Sequence, residues 1–364
     1  MNAAVLMGPG RIELIEVPRP PCPEGGLLIK VAACGVCGSD IRAYHGRKQI
    51  KEKHVIAGQV LPGHIIGHEI AGVVEAVGSG VMGFRPGELV TVAPSLTCGT
   101  CDACCRGQST VCRSYQALGW QYLGGFAEYV AVPARLLHDG SVNRIPEGVS
   151  AWKACLAEPL ACAIHAQDVI GIGPGDSVLV LGGGPMGCLN LLLARQRGAS
   201  LIAVVDPNAC RRDQAKALGA NLAVDSNAPD MVQVLLDGTR GQGFSAVIFA
   251  VSSIKAIRDV FGAMEGESYR LLAPGARVNV FSGLDPGDTS MTLDARALFY
   301  QGISIFGSVN STPRHNAQAL HLIARGAIDV TPLVTARLPL SRVADAFQLV
   351  LSRPRVHQKV VIEP

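Results

Sequence analysis

The stretch "VLVLGGGPMG", Val178–Gly187, decides how this chain is read. A short apolar run ends in glycines, with Gly182, Gly184 and Gly187 spaced G-x-G-x-x-G and a helix-length apolar segment following. At that spacing the three glycines serve different ends, namely a tight turn, a close backbone approach to a pyrophosphate, and close packing of helix on strand. Pro185 and Met186 complete the turn, which would leave a phosphate at the helix N-terminus. Asp206 ends the next apolar run, "LIAVVD", 19 residues beyond Gly187, where a carboxylate would accept hydrogen bonds from an adenosine ribose. The combination predicts a dinucleotide site. It favours NAD, because the charge of Asp206 would repel a 2′-phosphate. Arg211 and Arg212 could accommodate that phosphate and keep NADP as the second choice; otherwise they are solvated helix charges or pack on the adenine.

Outward from this motif, "AKALGANLAVD", "AVIFAVSS", "GARVNVFSG" and "ISIFGS" repeat the alternation of short apolar strand and helix-length segment. That pattern predicts a doubly wound parallel sheet over residues 156–300. Residues 1–155 read instead as short β-rich pieces bounded by Gly, Pro and polar turns, a partly closed β structure with long loops. Residues 301–364, ending in the strand "KVVIE", are assigned to the same domain. The fold class is therefore α/β in two domains, as 364 residues with 48% hydrophobic content allow. A net charge of +3 lacks the clustered Lys and Arg of a nucleic-acid or membrane surface. The N-terminus carries no signal-peptide pattern, and no apolar run is long enough to span a bilayer. A cytoplasmic protein without nucleic-acid or membrane partners is expected. The loop from Ile41 to Gly63 carries Arg47, Lys48, Lys51 and Lys53, a solvated loop or a substrate-phosphate site.

Five cysteines crowd "LTCGTCDACCRGQSTVC", Leu96–Cys112. In a cytosolic chain such spacing speaks for metal rather than disulfides. Cys98, Cys101, Cys104 and Cys112, spaced C-x2-C-x2-C-x7-C, suit a closed tetrahedral zinc within a lobe over about residues 95–113. Cys105 is surplus, since adjacent cysteines cannot both face one ion without contorting the loop. A different group is suited to chemistry: Cys37, with Ser39 and Asp40 beside it, and His68–Glu69 in "PGHIIGHEIAG". A mixed Cys/His/carboxylate set from separate segments is what an open zinc site uses. Cys34, Cys155, Cys162, His64 and His165 have the blander reading of core or loop residues.

These motifs resemble the zinc-dependent medium-chain dehydrogenases, in the branch of the polyol (sorbitol-type) and threonine dehydrogenases, over essentially the whole chain. "GHEIAGVVEAVGSGV" follows the family's zinc signature and points to His68 rather than His64. The resemblance implies a GroES-like partly closed barrel carrying the catalytic zinc and a Rossmann domain carrying NAD. It implies two zincs per chain, catalytic and structural, and a homo-oligomer, tetramer or dimer. It also singles out Glu158 in "AEPLACAIHA", where this branch has a carboxylate and classical alcohol dehydrogenases a third-ligand cysteine. Whether Glu69, Glu158 or both touch the metal stays open.

The implied reaction is hydride transfer from a secondary alcohol to NAD, with zinc as Lewis acid. Ser39 stands at the family's hydroxyl relay, although it could merely cap a turn, and Asp40 would hold the second nitrogen of His68. Two positions depart from the relatives. Arg42 replaces a histidine that passes protons outward, and an arginine cannot act as a base near neutral pH, so His45 or a water chain would replace it. Asn310 and Ser311 stand where relatives carry a substrate arginine. Its loss counts against a carboxylate such as threonine's and favours polyols, sugars or cyclitols; simple alcohols and sugar phosphates are the alternatives. Asn310 is either a polar contact to substrate or nicotinamide, or a turn residue.

Overall fold

The computed structural model describes all residues except 48–53, 255–256, 259–267, 285–286, 288, 292 and 353–357. Lys48, Lys51 and Lys53 of the basic loop therefore lie outside the described residues. The chain forms two compact units, one of Met1–Ala161, Asn310–Ser352 and the described residues from 358 onward, the other of Cys162–Val309. The chain passes from one to the other after Ala161, within the continuous helix Ala157–Ile170. The sequence reading places the two junctions after 155 and 300. No change of period marks a crossing inside an unbroken helix.

The first unit is built on a seven-stranded sheet. Its strands run in the order Val142–Arg144, Leu89–Val92, Glu69–Val77, Leu27–Gly35, Lys359–Glu363 and Val334–Pro339, with Tyr129–Val132 also paired to Leu27–Gly35. Leu27, Ile29, Val31, Ile70, Val74, Val90, Val92, Val360 and Ile362 from these strands share one buried core. Register is what positions the site. Antiparallel pairing sets Gly35 opposite Glu69 and Cys34 opposite Ile70, while Val361 also pairs with Gly35. Three strand ends thus meet, delivering Cys37, His68 with Glu69, and Lys359 to one place.

The second unit is a six-stranded parallel sheet in the order Leu222–Val224, Leu201–Val205, Ser177–Leu181, Phe244–Phe249, Leu272–Val280 and Ser304–Gly307. In chain order this is 3-2-1-4-5-6, with the switch point beside Ser177–Leu181, the strand that ends in the glycine turn. The central strands are apolar on both faces because helices cover both, so Val178 to Leu181 and Ile202 to Val205 are all buried. Among the described residues, no helix is long and apolar enough to cross a membrane.

Candidate metal centres and nucleotide loop

Cys37 is the N-cap of the helix Gly38–Tyr44, just beyond the strand Leu27–Gly35. The Cys37 amide donates to Asp40 Oδ2 at 2.9 Å, which ties the turn to the first helical residues. One ligand atom each from Cys37, His68 and Glu69 falls within 4.8 Å of the others, so a single ion can touch all three. His68 and Glu69 are buried, and Glu69 is wholly so. A Cβ on Gly35 would lie 2.0 Å from Glu69 Oε2, so the glycine opposite it leaves the room that carboxylate needs.

Asp40 is fully buried, and its Oδ1 stands 3.5 Å from His68 Nδ1. Neither atom has a hydrogen-bond partner among the described residues. Asp40 therefore faces one ring nitrogen and leaves Nε2 for an ion, the arrangement that fixes a ligand imidazole. Burial pushes the His68 imidazole down, but Asp40 and then Cys37 outweigh it and hold it well above the usual histidine range. So much negative charge around one imidazole suits a cation. Ser39 Oγ is buried and, among the described residues, without a partner. His45 is exposed at the end of the same helix.

Glu158, in the first turn of Ala157–Ile170, is 8% exposed and falls outside the three-residue cluster, yet its charge is felt at Lys359. Cys155 is buried, its thiol donates to the Trp152 carbonyl at 3.3 Å, and burial pushes its pKa up, so it stays a neutral core thiol. His64 packs its ring against His54 at 4.7 Å between centroids. Burial, then the charge of His54, lowers its pKa to about 4. Two residues at the site were not singled out from sequence. Lys359 donates through Nζ to Glu69 Oε1 and to the Val36 carbonyl, and the Trp120 ring lies 5.9 Å from that of His68. A lysine opening the strand "KVVIE" directly ahead of three apolar residues is the signal that could have found the first.

All twelve cysteines are free thiols. Cys98, Cys101, Cys104 and Cys112 bring their sulfurs within 4.8 Å of one another. The Cys98–Cys104, Cys101–Cys104 and Cys101–Cys112 separations are 3.9, 3.6 and 3.9 Å. A tetrahedron with Zn–S bonds of about 2.3 Å has edges of about 3.8 Å, so zinc fits. Backbone amides of Cys101, Cys98 and Ser114 point at the sulfurs of Cys98, Cys112 and Cys112 respectively. Backbone donation at Thr100 and Cys101 lowers the Cys98 thiol to about 5, whereas burial pushes Cys104 up to about 12. Cys105 points away, exposed, with its thiol on the Thr100 carbonyl at 3.5 Å.

In the second unit, Gly182 has φ +100 and its missing Cβ would meet the Ala250 carbonyl oxygen at 2.8 Å. A Cβ on Gly187 would lie 1.7 Å from the Gly182 carbonyl oxygen, so only glycine lets the helix Pro185–Gln196 sit this close. Gly184 is that helix's N-cap and Pro185 its first residue, while the Met186 carbonyl accepts from Asn190 at 2.9 Å. Asp206 is 3% exposed; its Oδ2 accepts from the Gly183 amide and its Oδ1 from the Asn208 amide, both at 2.8 Å. Arg211 Nη1 stands 3.6 Å from Asp206 Oδ2, its guanidinium in van der Waals reach of a Cβ on Gly184. Arg212 pairs with Asp225 at 3.1 Å and donates to the Asp206 carbonyl at 2.9 Å. In the first unit Asn310 takes φ +58, a left-handed turn conformation, and its amide donates to the Thr110 carbonyl at 3.3 Å. Ser311 beside it is buried.

Residues 23–146 match the alcohol dehydrogenase GroES-like domain, and residues 185–325 match the zinc-binding dehydrogenase domain. D-altritol 5-dehydrogenase of Agrobacterium fabrum is 33% identical over 351 residues, 95% of each chain. L-threonine 3-dehydrogenase of Pyrococcus furiosus is 31% identical over 344 residues, covering 93% of this chain and 91% of that one. A zinc-binding dehydrogenase of Sinorhizobium meliloti, solved bound to NADP, superposes with a TM-score of 0.85 at 30% identity over 100% of this chain and 99% of that one. An alcohol dehydrogenase of Escherichia coli CFT073, solved with NADH, has a TM-score of 0.86 at 26% identity, covering 100% and 99%. With its β-rich first unit, parallel second sheet and two donor clusters, the chain belongs to the zinc-dependent medium-chain dehydrogenases, in their polyol and threonine dehydrogenase-like branch, and is a zinc-containing oxidoreductase.

Proposed function

We propose that this enzyme oxidises a secondary alcohol of a polyol, sugar or cyclitol to the ketone, with NAD as the hydride acceptor. The observation that carries the reading is the convergence of Cys37, His68 and Glu69 on one point, Cys37 from beyond one strand end and the adjacent pair His68–Glu69 from the start of the strand paired with it. These three would hold the catalytic zinc, with Glu158 as the further carboxylate, and Cys98, Cys101, Cys104 and Cys112 would hold the structural one. A mixed sulfur, nitrogen and oxygen set leaves coordination positions for other ligands, whereas four thiolates close the shell. Zinc bound at the first set would supply Lewis acidity to the alcohol oxygen of the substrate.

In the balance of the reaction, the substrate loses a hydride from its carbinol carbon and a proton from its hydroxyl. Ser39 is assigned the proton. Its buried hydroxyl has donor and acceptor capacity to spare, and exposed His45, on the same helix, is the base that Arg42 cannot be. Asp40 keeps the His68 ring in its ligand orientation through Nδ1. Gly182, Gly184, Pro185, Met186 and Gly187 would cradle the pyrophosphate, and Asp206 the adenosine ribose. NAD is preferred to NADP because Arg212 is already engaged by Asp225 and Arg211 stands beside Asp206.

Three relatives are named for substrates that bear secondary hydroxyls: threonine, altritol and arabitol phosphate. Asn310 and Ser311, uncharged where a carboxylate-binding arginine would serve threonine, favour the neutral polyols. A homo-oligomer belongs to the same reading. Phe299 at 78% and Tyr300 at 70% exposure, with exposed Phe306 on the edge strand Ser304–Gly307, form an apolar margin that a second copy would cover. The test is a panel of polyols, inositols, sugars, sugar phosphates, threonine and simple alcohols run with NAD and with NADP. Polyols or cyclitols with NAD should give the highest kcat/KM; preference for threonine, or for simple alcohols, refutes the substrate class.

A further inference from the structure

Lys359 is buried with its side chain 4% exposed, against a Glu69 side chain that is 0% exposed. Its Nζ donates to Glu69 Oε1 and, at 3.1 Å, to the Val36 carbonyl. Glu69 Oε2 is buried too, and among the described residues it has no hydrogen-bond partner. It projects into the space left by Gly35. The two oxygens of one carboxylate are thus treated differently: one is held by a cation, the other is left without a hydrogen-bond partner among the described residues. Lys359 is the lysine or arginine that the fold buries; among the described residues every other one is partly or fully exposed.

We propose that Lys359 is a positioning residue for the metal centre: it presents Glu69 as a single-oxygen donor and offsets its charge, so that zinc is held more loosely than the donor set alone would hold it. The proposal rests on the reading that Cys37, His68 and Glu69 bind zinc. Without metal, Lys359 is the partner that makes a buried Glu69 tolerable, because removing one member of a buried ion pair leaves the other uncompensated. With metal, the ion and the ammonium compete for the same carboxylate. Removing the ammonium should therefore destabilise the metal-free protein and tighten its grip on zinc. A residue that merely filled space would weaken both.

The experiment compares wild type with Lys359→Met, Lys359→Arg and Lys359→Met/Glu69→Gln, reading zinc affinity by chelator competition and melting temperature with and without zinc. Lys359→Met should melt lower without zinc and hold the catalytic zinc at least tenfold more tightly, with kcat reduced. Lys359→Arg should return affinity to within threefold of wild type. The double variant, with both charges removed, should regain metal-free stability and bind zinc more weakly than wild type. Unchanged or weaker zinc binding in Lys359→Met overturns the proposal. Should Lys359→Met not fold without zinc, the double variant decides: recovery of folding supports charge compensation, and failure shows that Lys359 acts by packing. If wild type holds no zinc at Cys37 and His68, the metal reading itself fails, which is a separate outcome from an unaltered affinity in Lys359→Met.

Discussion

Replacing Gly187 and Gly184 separately by alanine should separate packing from cofactor binding within one loop. The Cβ of Gly187→Ala would lie 1.7 Å from the Gly182 carbonyl oxygen, where contacts below 3.0 Å are essentially never found. Helix and strand must therefore part by at least about 1.3 Å, the shortfall between those distances. Overpacking of this kind costs about 1–3 kcal/mol. At 2–4 °C per kcal/mol for units of this size, melting should fall by roughly 2–12 °C. The Cβ of Gly184→Ala meets nothing nearer than Arg211 at 3.7 Å, and φ there is −72, a conformation open to any residue. Its melting point should stay within roughly 3 °C of wild type, the scale of a modest N-cap loss. The methyl nonetheless occupies the surface that a pyrophosphate must approach, so the Kd for NAD should rise at least tenfold, about 1.4 kcal/mol. Gly173→Ala, at an open position with nothing within 4 Å, is the control for both readouts. Scanning calorimetry without cofactor and titration calorimetry with NAD measure the two quantities. Equal destabilisation by Gly184→Ala and Gly187→Ala, or wild-type NAD affinity in Gly184→Ala, would refute the reasoning.

Three further outcomes are expected. Cys37→Ser should abolish turnover yet keep the fold and the structural zinc, whereas Cys98→Ser should lose zinc from the lobe and melt lower; a metal count with calorimetry checks both, and full activity in Cys37→Ser sinks the two-site assignment. Asp206→Ser should weaken NAD and strengthen NADP, each by about tenfold, since it removes both a ribose acceptor and a charge opposed to a 2′-phosphate; kcat/KM ratios for the two cofactors decide it. His64 is held at about 4 against an ordinary 6.5, so the unfolded chain binds the proton first as pH falls. Its contribution is full above 6.5 and is lost between 6.5 and 4, amounting to at most about 3 kcal/mol. A His64→Asn variant should therefore lose less stability than wild type between pH 7 and pH 4.5 in urea unfolding, and parallel losses would contradict this.

Much of the nucleotide unit was legible because its signals are local. Gly182, Gly184 and Gly187 are fixed by backbone geometry within a few residues, and continuous apolar strands such as "LIAVV" mark a sheet covered on both faces. The cysteine lobe was legible for the same reason, since a metal knuckle is written in short spacing. The cluster of Cys37, His68 and Glu69 was harder: Cys37 and His68 meet through strand register, which pairs Gly35 with Glu69 and which no local pattern announces. Lys359 was missed altogether. Its partner Glu69 is 290 residues away, and a lone lysine at a strand start reads as a solvated end. The crossing inside Ala157–Ile170 was invisible because one helix serves both units without a break.

The central claim is that two metal centres of different kinds stand in the first unit, a closed one of four sulfurs and an open one with Glu69 as the carboxylate donor. An anomalous-difference map from crystals of the zinc-loaded enzyme, recorded at the zinc edge, tests it most directly. It should show two peaks per chain, one amid Cys98, Cys101, Cys104 and Cys112 and one in contact with Cys37, His68 and Glu69. A single peak, or a second peak that touches neither Cys37 nor His68, would contradict it.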